Sequence, residues 1–90
     1  MSKKNDTNKV YVNIFGEEYT VRGTEDPAYI DMLAAYVDRK MQSVHQKNPN
    51  LSVVRVAVLA ALNLADELSK LQEDYDQLVK LMEEVKGNRM

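Results

Sequence analysis

From Ser52 to about Lys86 the chain contains neither proline nor glycine, so nothing interrupts a helix. At 1.5 Å per residue that helix would be about 50 Å long, more than a compact domain of 90 residues can cover. Its pattern changes along the way. The stretch VVRVAVLAALNLADE at 53–67 is apolar on nearly every side and crowded with alanine. Beyond it the chain is highly charged, yet Leu64, Leu68, Leu71, Tyr75, Leu78, Met82 and Val85 alternate steps of four and three. That rhythm is a heptad seam, with Leu68, Tyr75 and Met82 at a and Leu64, Leu71, Leu78 and Val85 at d. Run backwards, the frame passes through Ala61, Ala57 and Val54, small residues that would let two helices approach closely.

The other apolar residues of that first half, Val53, Val56, Leu59, Ala60 and Leu62, need a different cover, and the rest of the chain is the local candidate. The helix therefore reads as two pieces. The first is the spine of a small head, buried on several sides, and the second projects as a coiled-coil stalk. Asn63 lies at their join. Burying its amide unpaired would cost about 1–3 kcal/mol, so it is expected to bond a turn or a neighbouring chain. Toward the C-terminus Val79 at e and Leu81 at g widen the apolar stripe, which suits a four-helix contact between two dimers better than a two-stranded coil. Asp66 with Lys70 and Asp76 with Lys80, four apart, read as a solvated face worth a few tenths of a kcal/mol per pair.

Upstream, residues 1–9 read as a polar, disordered tail. VYVNIFGEEYTVRG then alternates, with Val10, Val12 and Ile14 on one face and Tyr19 and Val21 as their match across Gly16. This predicts a β-hairpin over 10–22 with one buried face. Two strands alone are unstable in water, so a helix must cover them. Asp26 as cap and Pro27 in the first turn start that helix. Ile30, Leu33, Ala34, Val37, Met41 and Val44 give it one apolar stripe over 26–47. Asn48, Pro49 and Asn50 stop it. Ser52 restarts the chain as an N-cap, with Leu51 and Val56 as a hydrophobic staple. The fold class is α+β: an N-terminal hairpin packed on two helices, a head over 10–62 and a stalk over 63–87.

Size and composition point to partners. A domain this small buries only about 60% of its unfolded surface, and small folds compensate with disulfides, metals or association. Cysteine is absent and there is one histidine, so disulfides and thiolate zinc sites are excluded. The balance of 14 acidic to 12 basic residues lacks the basic face of a nucleic-acid binder. No apolar run approaches the roughly 20 residues of a membrane span, and no secretory leader follows Lys3 and Lys4. A soluble, cytoplasmic protein is expected.

Catalytic constellations are missing. Gly16, Gly23 and Gly87 are scattered and make no phosphate loop. Ser43 lies two residues from His45 on a helix and faces elsewhere. Glu17 and Glu18 are adjacent in a turn and read as solvated. His45 reads as a surface residue near its helix end. A non-enzymatic protein without cofactor or metal is expected.

VNIFGEEYTVRG, AAYVDRKM and above all VAVLAALNLADEL resemble the ZapA family, the Z-ring-associated proteins of bacterial cell division. The likeness runs from about Val10 to Leu71, and Ala61-Leu62-Asn63 followed by Asp66-Glu67-Leu68 is its most specific piece. It implies a partner of FtsZ, the tubulin-like GTPase of the division ring. Homodimers would join by their stalks into tetramers at the septum, cross-link FtsZ filaments, promote bundling and lower GTPase activity. Relatives use charged head residues for FtsZ, in the hairpin turn and around the junction of the helices. Here the turn is acidic, and Pro49 and Val54 replace charges near the junction. The basic candidates are then Arg39, Lys40, His45, Lys47 and Arg55. A coiled-coil adaptor or prefoldin-like chaperone is the alternative, although prefoldins place their hairpins between two long helices and here the hairpin comes first.

Overall fold

A computed structural model describes residues 7–87. Two antiparallel strands, β1 (Asn8–Ile14) and β2 (Glu17–Gly23), are followed by α1 (Pro27–Lys47) and α2 (Val53–Gly87). This is the expected order of elements. β1 begins at Asn8, two residues before the hairpin read from the sequence, and residues 1–6 of the expected tail lie outside the described residues. The chain divides after Ala60 into a head unit and a second unit made of the remainder of α2.

The hairpin pairs Val10 with Val21 and Val12 with Tyr19, so these four side chains share a face. Its two-residue turn, Phe15 and Gly16, has φ of 53° and 81°, the left-handed conformation at both positions that matches strand twist. Gly16 adopts it freely. For Phe15 it costs about 1–2 kcal/mol, which neighbouring contacts must offset. The Phe15 backbone N–H donates to Asp38 Oδ1 on α1 at 2.6 Å, and its ring meets His45 edge-on, centroids 5.4 Å apart. The turn is thereby fastened to α1 at two points.

The head core has two parts. Val10 and Val12 pack on Ile30 and Ala34, with Ile14 and Val21 at the margin. Met41 and Val44 pack on Val56 and Ala60, with Phe15, Val37 and Leu51 around them. The first α2 turns thus cover the C-terminal half of α1, and β1 covers its N-terminal half. Of the five α2 residues expected to face the head, only Val56 and Ala60 are buried; Val53, Leu59 and Leu62 are exposed. The reason is geometric: one neighbouring helix covers one stripe, and a single chain offers α2 one neighbour. Asn63 is exposed too, so no turn of its own chain encloses it.

The junction follows its local chemistry. Asn48 caps α1, its backbone N–H donating to Val44 O at 2.9 Å and its Nδ2 to the same oxygen at 3.3 Å. The Leu51 N–H closes a turn over Pro49 and Asn50 onto Asn48 O at 3.2 Å. Ser52 Oγ accepts from the Arg55 N–H at 3.2 Å, the N-cap bond expected of it. Asp26 differs from expectation. Its side chain makes no cap bond, and its backbone carbonyl receives Tyr29 and Ile30 at 2.9 and 3.1 Å. At the other end of that loop Asn8 Nδ2 donates to Glu25 O at 2.6 Å and ties down the start of β1.

Candidate interaction surfaces

Helical periodicity separates the basic candidates. Met41 and Val44 aim α1 at the core, which leaves Arg39 opposite it and Lys40 and Lys47, seven apart, on one flank. Arg39 and Lys40 follow Tyr36 by three and four residues, and both cations lie 5.5 Å from its ring centroid. Cation–π contacts at such an exposed site are worth about 0.5–1 kcal/mol each, and they gather the two charges over one aromatic face. Tyr36 was not singled out in the sequence, although an aromatic followed by cations at i+3 and i+4 was the available signal.

The stripe extends upward through Leu33 and Tyr29, both exposed, so α1 presents apolar and aromatic surface next to its cations. Lys47 is exposed in the last turn. Arg55 is exposed in the first turn of α2, beside a slot of about 280 Å³ lined by Leu51, Val58 and Leu59.

His45 does not join this group. It lies on the other flank of α1 with Asp38, half-buried against Phe15, and its Nδ1 is enclosed without a hydrogen-bond partner among the described residues. The surface position expected for it is therefore corrected: the hairpin turn folds over that flank and takes the ring into the head.

The heptad residues form a second surface. Val54, Ala57 and Ala61 are exposed and Leu64 is half-buried. Leu68, Leu71, Tyr75, Leu78, Met82 and Val85 are each between 55% and 67% exposed. Seven-residue recurrence puts them along one side of α2, and solvating such a row is unfavourable. Val79 is half-buried, while Leu81, Met82, Val85 and Lys86 line a shallow cleft near the end of the helix. Polar contacts run on other faces: Lys70 Nζ pairs with Asp66 at 3.0 Å, and Gln72 Nε2 donates to Asp76 Oδ1 at 3.1 Å.

Among the described residues no three His, Cys, Asp or Glu side chains are grouped to hold a metal ion. No helix among them is long and apolar enough to cross a membrane.

Comparison with known proteins gives these surfaces a context. The family model described as Cell division protein ZapA matches residues 10–89. The chain is similar to Cell division protein ZapA of Geobacillus thermodenitrificans, 47% identical over 79 residues covering 88% of this chain and 87% of that one. It is also similar to the Geobacillus kaustophilus protein of the same description, 46% identical over 82 residues and 90% of each chain. Among solved structures, a ZapA mutant dimer from Geobacillus stearothermophilus superposes with a TM-score of 0.66 at 41% identity, covering 87% of this chain and 91% of that one. A conserved bacterial protein of unknown function from Pseudomonas aeruginosa PAO1 gives a TM-score of 0.70 at 30% identity, over 86% of each chain.

Proposed function

Because this chain belongs to the ZapA family of cell division proteins, we propose that it is a non-enzymatic cross-linker of FtsZ filaments at the division septum. The observation that carries the reading is the row from Leu68 to Val85, more than half exposed in a single chain. Completing the burial of one such side chain is worth about 1–2 kcal/mol, so pairing α2 with α2 of a second copy recovers several kcal/mol. The broadened face at Leu78, Leu81, Met82 and Val85 supports a further pairing of dimers.

Each added copy adds an FtsZ-binding head. Two weak sites on one assembly act together once the first has bound, and sites that engage different filaments bundle them. Arg39 and Lys40 beside Tyr36, with Lys47 and Arg55, are the candidate contacts to an acidic surface of FtsZ. Bundled filaments turn over less readily, which accounts for a lowered GTPase rate.

Co-sedimentation with polymerised FtsZ tests this, run beside a Leu78→Glu, Met82→Glu variant. The expected result is that wild type co-pellets and bundles while the variant binds but bundles poorly. Failure of both proteins to pellet with FtsZ refutes the partner. Bundling by the variant equal to wild type refutes the stalk as the cross-link. Reversing Lys40, Lys47 and Arg55 together is expected to abolish co-sedimentation, and unchanged pelleting removes them as contacts.

A further inference from the structure

The outer face of the hairpin carries a conflict of charge. Ile14 and Glu17 close the two-residue turn, and the rung that closes such a turn exchanges both ladder hydrogen bonds. By alternation Asn13–Glu18, Tyr11–Thr20 and Lys9–Arg22 are the closer rungs, with Cα atoms about 4.5 Å apart. Their side chains lie opposite to those of Val10 and Val12, and all six are exposed, Tyr11 at 59%. Lys9 and Arg22 therefore face each other as two cations, and neither forms an ion pair with a described residue.

Like charges directly opposite destabilise a strand pair. This hairpin has little stability to spare. α1 packs chiefly beneath β1 and leaves Tyr19 on β2 47% exposed, so the inner face is only half covered. A two-stranded sheet depends on such cover. A rung that works against a weakly held element, with no carboxylate of the described fold to compensate it, points to a surface kept for a ligand.

We propose that this face binds an extended, acidic segment of another protein, with the segment's carboxylates between Lys9 and Arg22. The partner's chemistry follows from the three rungs, which run from two cations through Tyr11 and Thr20 to the single carboxylate of Glu18 beside Asn13. Rungs on one face repeat every two residues, about 7 Å, and so do the same-face side chains of an extended peptide. A complementary segment presents carboxylates first, then an apolar side chain against the Tyr11 ring, then a cation for Glu18. Nucleic acid and anionic lipid fit less well, because either carries its negative charge onward to Glu18, about 13 Å along the strand from Arg22. The site is distinct from the candidate FtsZ contacts on α1, being built on the hairpin at the end away from its turn.

The test is fluorescence anisotropy at low salt with a labelled synthetic peptide that has two glutamates, a leucine and a lysine at alternate positions and serines between them. The control peptide has the same residues with the lysine moved between the glutamates. The full chain is expected to bind the first peptide several-fold more tightly than the control. Lys9→Glu should weaken that binding about fivefold, since reversal removes an attraction and adds a repulsion. The same substitution makes the rung an opposite-charge pair, so its urea midpoint at one fixed protein concentration is expected to rise. Weaker binding together with greater stability is the result that supports a ligand site. A higher midpoint with unchanged binding makes the rung a solvated pair and overturns the inference. A midpoint that stays level or falls overturns it too, because the rung then holds no conflict. Equal binding of the two peptides, or loss of binding on reversing Lys40 and Lys47 and not Lys9, also refutes the site. Tighter capture of single-stranded DNA or phosphatidylglycerol vesicles than of the peptide, abolished by Lys9→Glu, gives the face to a phosphate ligand and overturns the peptide reading.

Discussion

Asp38→Ala tests the fastening of the hairpin turn. Asp38 Oδ1 accepts the Phe15 N–H at 2.6 Å, a short bond to a carboxylate from a residue in the left-handed conformation. Hydrogen bonds to charged groups contribute about 1.5–3 kcal/mol, and partial burial of Asp38 places this one toward the lower end. Against that, a released turn recovers part of the roughly 1–2 kcal/mol held in the Phe15 backbone. The expected net loss is about 1 kcal/mol, or roughly 4–8 °C in melting temperature for a domain of this size. Asp38→Asn keeps an acceptor but not the charge and should lose less than half as much. Urea unfolding followed by far-ultraviolet circular dichroism measures both, at one fixed protein concentration because association shifts the midpoint. Amide exchange at Phe15 should accelerate in the alanine variant more than exchange at Val12. A cost below about 0.5 kcal/mol for alanine, or an asparagine variant as stable as wild type, refutes the reasoning that a charge-assisted bond holds the turn.

Other substitutions separate the remaining forces, read by the same unfolding measurement. Gly16→Ala meets no atom within 4 Å, so its expected cost of about 1–2 kcal/mol is purely conformational at φ of 81°, and Gly16→Asn should cost clearly less. Val56→Ala removes two methyl groups from a fully buried site and should cost about 2 kcal/mol or more, depending on how far Met41 and Val44 close the gap. Ser52→Ala deletes the cap bond to Arg55 and should cost about 1 kcal/mol, with Ser52→Asp restoring most of it.

Much of the fold was legible because its signals are local. A period of two around Gly16 marked the hairpin, Pro27 and the Asn48–Asn50 run bounded α1, and Ser52 opened α2. What escaped was set by contacts distant in sequence. Phe15 is not a turn-forming residue type, and its left-handed backbone is stabilised from Asp38, 23 positions away. His45 went to the head because the turn folds over its flank, and nothing in the run SVHQK distinguishes that flank from the exposed one. Half-coverage of the hairpin was equally hidden, since alternation says that a face is apolar but not how much of it α1 reaches.

The all-round apolar start of α2 leads to a last prediction, about where the partner-facing charge must lie. A helix with three apolar faces needs three neighbours, and one chain supplies the neighbour at Val56 and Ala60 only. If further copies take the seam and the face of Val58, Leu59 and Leu62, then Arg55, which shares that last face, is covered within the assembly rather than offered to FtsZ. The charges left for an external partner are then those on α1, where Arg39 and Lys40 are held over Tyr36 and Lys47 is free of the core. Reversing Lys40 and Lys47 should therefore weaken FtsZ co-sedimentation as much as reversing all three residues. Reversing Arg55 alone should lower the urea midpoint of the dimer and leave FtsZ binding per folded dimer unchanged. If Arg55 reversal instead cuts FtsZ binding with no loss of stability, its face of α2 is open to the filament, and α2 does not have three neighbours from its own kind.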